Sequence, residues 1–101
     1  MNIKQLEAFV RIVKNKSFSQ TAKELYLTQP TVSSYISSLE EDLGVQLFNR
    51  TTKEVHTTNE GEQIYLYAKD IVNLSNKIRN AFKDEEKEEV NEIIISASSI
   101  P

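Results

Sequence analysis

From residue 64 to residue 82, apolar or small side chains recur at intervals of four, three, four, three and four: Ile64, Ala68, Ile71, Ser75, Ile78 and Phe82. That alternation is a heptad seam, the pattern of a helix that buries one stripe against another helix. Tyr67, Leu74 and Ala81 widen the stripe. Helical spacing carries upstream to Asn59, which pairs with Glu62 as a cap, and downstream to about Glu88. A helix of ~25–30 residues is ~40 Å long, more than the chain before it can cover. The seam therefore needs a second helix. An intramolecular pair would need a partner of similar length within the chain, and none is offered; the same helix of a second copy is the simplest supply.

The preceding segment reads as three shorter helices. Leu6, Phe9, Val10 and Val13 form one stripe from about Ile3 to Lys14, which Asn15-Lys16 ends. Ser17 suits an N-cap, with Gln20 completing a capping box, and Phe18, Ala22 and Leu25 give a two-turn helix its inner face. Thr28 is a second N-cap, with Pro30 in the first turn, where its missing N–H costs nothing. Val32, Ile36, Leu39 and Leu43 then repeat at four, three and four, and Gly44 supplies the left-handed stop.

Residues 46–58 have the β-branched content of a hairpin, two short antiparallel strands around Thr51-Thr52-Lys53. The last stretch, Ile93 to Ala97 above all, reads as a buried parallel strand, which needs neighbouring strands that the rest of the chain does not contain. It implies a hinge and the first strand of a further domain over residues 90–101.

Charge supplies an apparent contradiction. The chain of 101 residues carries 12 Lys+Arg and 15 Asp+Glu, a net charge of -3. Residues 1–58, however, hold seven basic groups (Lys4, Arg11, Lys14, Lys16, Lys23, Arg50, Lys53) and six acidic ones. The acid excess lies beyond Asn59, chiefly in residues 84–89. With no cysteine and one histidine, the chain has no thiolate nucleophile, disulfide or multi-histidine metal site. Its serines have no histidine–carboxylate pair in prospect and no Gly-x-Ser-x-Gly elbow, so an enzyme is not expected. No apolar run is long enough to span a membrane, and the expected compartment is the cytoplasm, at the nucleoid.

Two short-linked helices, the second longer, form the helix-turn-helix arrangement that offers its second helix to the DNA major groove. The free face of that second helix decides how it is used. Gln29, Thr31, Ser33, Ser34, Tyr35, Ser37 and Ser38 occupy it, and from Thr28 to Leu39 there is no charge. A solvated face would ordinarily carry Glu and Lys, since serine is a mediocre helix former. Short hydroxyl and amide groups instead allow approach to base edges and phosphates, and glutamine can pair bidentately with adenine.

Taken in order, Leu6-x-x-Phe9, Ser17-Phe18-Ser19-x-x-Ala22-x-x-Leu25, Thr28-Gln29-Pro30-Thr31-Val32-Ser33, Ile36-x-x-Leu39-Glu40, Leu43-Gly44, Leu47-Phe48-x-Arg50 and Thr58-x-x-Gly61 resemble the N-terminal region of LysR-type transcriptional regulators over residues 1 to about 90. The resemblance implies a mainly α fold: a winged helix-turn-helix of three helices and a two-stranded wing over 1–58 (helix-turn-helix about 18–38, wing about 46–58), then a dimerisation linker helix over 59–89. It implies that Gln29, Thr31, Ser33 and Ser34 face the major groove, and that Pro30 shapes the helix start and can touch a thymine methyl. Arg50 and Lys53 would reach the DNA backbone or minor groove from the wing. Ser17, Thr28 and Ser37 complete the expected DNA-binding set, and Ile64, Ala68, Ile71, Leu74, Ser75, Ile78 and Phe82 the expected dimerisation set. Double-stranded DNA and a second copy, with a tetramer for the full-length protein, are the implied partners. No cofactor is expected here; a small-molecule inducer would bind the further domain.

The chain departs from this resemblance in being poor in cations. Ser34 and Ser37 stand where many relatives have arginine, Lys53-Glu54 stands where a wing commonly has several arginines, and Thr57 replaces a frequent leucine. Fewer phosphate contacts per copy are expected, with more reliance on multivalency. Arg50 could alternatively close a salt bridge with Glu54, and His56 reads as a surface residue of the wing. The rival to DNA binding is a winged-helix and coiled-coil module that assembles proteins without touching DNA.

Overall fold

The structure, a computed structural model, describes residues 1–51 and 53–91, with side chains as far as Phe82. Four helices follow in order: α1 (Ile3–Asn15), α2 (Phe18–Glu24), α3 (Gln29–Leu43) and α4 (Asn59–Asn91). Each short helix ends where local chemistry ends it. Asn2 caps α1 by accepting from the Gln5 N–H, and Lys16, in the left-handed region at φ 54°, stops it. Ser17 caps α2 by accepting from the Gln20 N–H at 3.0 Å. The return half of the expected capping box is not made, because the Gln20 amide turns forward to Glu24 instead, 3.4 Å away. Thr28 caps α3, and Gly44 at φ 71° terminates it as expected.

α2 ends with its left-handed position filled by a tyrosine. The Leu27 N–H reaches back to the Ala22 carbonyl at 2.8 Å and leaves Tyr26 at φ 59°, where glycine is the usual occupant. Tyr26 is 94% exposed. Thr21, wholly buried, satisfies its hydroxyl on the Ser17 carbonyl at 2.8 Å and accepts from the Asn15 amide at 3.2 Å.

The core gathers Leu6, Phe9 and Ile12 of α1, Ala22 of α2, Val32, Ile36 and Leu39 of α3, and Leu47 and Phe48 beyond it. Edge-to-face rings tie the elements together: Phe48 meets both Phe9 (5.5 Å between centroids) and Phe18 (5.6 Å), and Phe9 meets Tyr65 of α4 at 6.3 Å. α1 is the hub, packing on α2, α3 and α4.

The wing is more sparsely paired than the sequence suggests. Among the described residues, instead of two strands, one antiparallel bridge joins Phe48 to Thr57, with hydrogen bonds from the Asn49 N–H to the His56 carbonyl (2.8 Å) and from the Thr58 N–H to the Leu47 carbonyl (3.0 Å). Beyond it the Asn49 carboxamide accepts from both the backbone N–H and the hydroxyl of Thr51, which turns the chain away from a ladder. The cap of α4 also lies one residue earlier than expected. Thr58, not Asn59, supplies it: its hydroxyl accepts from the Gly61 N–H at 2.9 Å and donates to the Gln46 carbonyl. Helix α4 then runs 33 residues, ~50 Å, through Val90 and Asn91, where a hinge was expected. The expected strand, Ile93 to Ala97, lies outside the described residues.

The heptad seam divides in two. Gly61, Ala68 and Val72 are buried against the body of the domain, with Ile64 and Tyr65 packed beside them. Ala68, 1% exposed, has no surface to present to a second chain, so its place in the dimerisation set is corrected to a core position. Ile64 packs against the same core, and Ser75 is partly covered. Tyr67, Ile71, Leu74, Ile78 and Phe82 remain exposed, on a stripe roughly a third of a turn around the helix from the inward face.

Candidate nucleic-acid interface

Capping fixes the start of α3 and thereby its outer face. The Thr28 hydroxyl accepts from the Thr31 N–H at 3.3 Å and shares a hydrogen bond with the Thr31 hydroxyl at 2.8 Å. Thr31 is therefore engaged locally and half-buried. Gln29, Pro30, Ser34 and Ser37 are exposed, and Ser33 lies at the margin. Val32, Ile36 and Leu39 hold the opposite face in the core, so the polar row cannot rotate inward without unburying three large side chains. Ser17 differs from the others of the expected set. Its hydroxyl caps α2 and lies 3.2 Å from the Ser19 hydroxyl, leaving it a structural duty first.

The wing is fastened to the far end of the same helix. Glu40 is the fastening: one carboxylate oxygen accepts from the Leu47 N–H at 2.8 Å, the other from the Arg50 guanidinium at 2.6 Å. The Glu40 carbonyl also receives the Gly44 N–H that ends α3. Arg50 thus pairs with Glu40, not Glu54, and is half exposed, whereas the Glu40 side chain is only 13% exposed. Glu40 lies eleven positions beyond Gln29, which sets the Arg50 end of the wing roughly 16 Å along α3 from the glutamine. Lys53 is exposed at the wing tip and has no ion pair among the described residues. His56 is exposed beside Glu54, 3.2 Å away.

Behind the interface, Glu24 at the end of α2 accepts from Asn15 (3.1 Å), Gln20 (3.4 Å) and Arg11 (3.0 Å). The Asn15 and Gln20 amides, followed by the Arg11 guanidinium, hold its carboxyl below the ordinary glutamate value. This cluster locks α1 to α2 and so sets how the helix-turn-helix leans on the body. The sequence pattern assigns no role to the side chains of Glu24, Glu40 and Thr21, since contacts between separate elements leave no periodic trace.

Three helices, the second and third forming a helix-turn-helix, then a wing and a long helix: the chain is a winged helix-turn-helix protein. It belongs to the lysR family of bacterial regulatory helix-turn-helix proteins, whose family model matches residues 3–62. It is 43% identical over 68 residues to the HTH-type transcriptional regulator BenM of Acinetobacter baylyi, covering 67% of this chain and 22% of that protein. To the HTH-type regulator MJ0300 of Methanocaldococcus jannaschii it is 38% identical over 99 residues, 98% of this chain and 33% of that one. The matched region thus spans roughly a fifth to a third of such relatives. Among solved structures, the BenM DBD/benA site 1 DNA complex is similar, with a TM-score of 0.76 at 35% identity, over 85% of this chain and 97% of that one. Among the described residues, no helix is long and apolar enough to cross a membrane.

Proposed function

We propose that the chain is the DNA-reading and pairing part of a transcriptional regulator. The observation that carries this reading is the exposed, charge-free row Gln29, Pro30, Ser34 and Ser37 on the second helix of a helix-turn-helix, pinned outward by a buried opposite face. Gln29 and Ser34 read base edges in the major groove, Ser33 and Ser37 lie along its walls, and Arg50 and Lys53 meet phosphates from the wing. Tyr67, Ile71, Leu74, Ile78 and Phe82 of two copies pair, placing two reading helices in major grooves one turn of DNA apart or a multiple of that. The similarity to a DNA-bound BenM domain supports the same reading. In the whole protein, the paired copies assemble further and answer to a small-molecule inducer held outside residues 1–91.

Selection from a pool of random duplexes at low salt tests it. A recurring sequence in the retained pool is expected, and Gln29→Ala then costs about 1–3 kcal/mol on that sequence while relaxing its preference. Lys53→Ala weakens all sequences alike and flattens the salt slope by about 0.9. Retention of nothing at low salt overturns the proposal in favour of a protein-assembly module.

A further inference from the structure

We infer that Glu40 is a positioning residue that restrains the wing arginine and thereby keeps the protein off unspecific DNA. The inference rests on the DNA-binding reading above. Three observations carry it. The Glu40 carboxylate is divided between the Leu47 N–H and Arg50, so the backbone contact fixes where the negative charge stands. Glu40 is mostly buried while Arg50 is half exposed, so the carboxylate belongs to the body and the guanidinium to the surface. The reading face from Thr28 to Leu39 has no charge, which leaves Arg50 and Lys53 as the cations of the wing and makes the state of Arg50 weigh heavily in any phosphate contact.

A guanidinium already shared with a carboxylate has less charge to offer a phosphate, and only its outward N–H groups can reach one. A phosphate must therefore arrive in the position those remaining donors face, which a sequence-matched complex with α3 seated in the groove supplies and a loose encounter does not. Glu40 acts as an internal stand-in for the phosphate. It lowers the sequence-blind part of binding more than the sequence-dependent part.

The test compares the chain with Glu40→Gln, Glu41→Gln, Arg50→Gln and the double variant Glu40→Gln/Arg50→Gln. Glutamine can still accept from the Leu47 N–H, and thermal melts verify that each variant is folded. Glu41, exposed on the next position, controls for the bare loss of one negative charge. Binding is measured across a salt series to a random-sequence duplex and to the best duplex from selection. Glu40→Gln is expected to tighten the random duplex several-fold more than Glu41→Gln does and to steepen its salt slope by up to about 0.9. The selected duplex gains less, so the ratio between the two falls. In the Arg50→Gln background the slope change disappears. Equal effects of Glu40→Gln and Glu41→Gln, or a slope change that survives without Arg50, overturn the inference. Failure of the parent chain to bind any duplex refutes the DNA-binding reading itself.

Discussion

A Cβ placed on Gly61 would stand 2.2 Å from the carbonyl oxygen of Leu47. The first turn of α4 therefore lies directly on the backbone that leads into the wing. That carbonyl is already the acceptor for the Thr58 N–H, so it cannot move aside without breaking the wing's own pairing. Gly61→Ala is expected to destabilise the fold by about 1–3 kcal/mol, as overpacking against backbone does. For a domain of this size each kcal/mol lowers the melting temperature by about 4–8 °C. Calorimetry or a thermal melt by circular dichroism reads the change, and an unaltered midpoint would mean that wing and helix separate freely.

The division of the seam separates two kinds of substitution on one helix. Leu74→Lys places a charge on the exposed stripe and is expected to leave the helical content unchanged while sedimentation equilibrium shifts from the mass of two chains to that of one. Ala68→Leu, at a position that is 1% exposed, is expected to lower stability by about 1–3 kcal/mol by overfilling the contact with α1. Dissociation by the second and not the first would exchange the roles assigned to the two faces.

Glu24 gives the fold an acid-sensitive joint. Its carboxyl is held below the ordinary value of 4.5 in the folded chain, first by Asn15, then by Gln20 and Arg11. A group whose acidity is strengthened by folding stabilises the fold above its unfolded pKa and loses that contribution as pH falls through the lowered folded value. Stability is therefore expected to decline below pH 4.5 more steeply in the parent chain than in Glu24→Gln. Urea midpoints across that range measure it; parallel curves for the two proteins would remove Glu24 from the acid response.

Tyr26 occupies the left-handed corner after α2 with its ring in solvent, so its backbone strain is not offset by packing. Tyr26→Asn is expected to raise stability by up to about 1 kcal/mol, because asparagine tolerates that region better. The urea midpoint should rise with the slope unchanged. A fall in the midpoint would show that the ring contributes a contact after all.

The short helices were legible in the sequence because their signals are local. Ser17, Thr28 and Gly44 each act within a few residues of themselves, and the structure places each as read. The start of α4 is ambiguous by one residue in the sequence because Thr58 and Asn59 are both good caps. What selects Thr58 is a contact with the Gln46 carbonyl across the wing, invisible in a linear pattern. The seam conceals its division into two faces for a related reason. A heptad says that one stripe is buried, yet α4 buries one stripe in its own domain and leaves a neighbouring one open, and the two rows interleave along the same stretch. The Glu40 partnership with Arg50 joins the end of α3 to the wing ten residues on, and no periodicity reports such a pair.

With Gly61 flush on Leu47, the handle of the domain meets the root of its blade backbone to backbone. The long helix, its seat on α1 through Ala68 and Val72, and the root of the wing form one lever. A small rotation between two such levers at their paired stripes would be carried undiminished to the reading heads and enlarged by the length of the arm. The spacing between two DNA half-sites would thus be set far from the DNA, by how the stripes of two copies mesh.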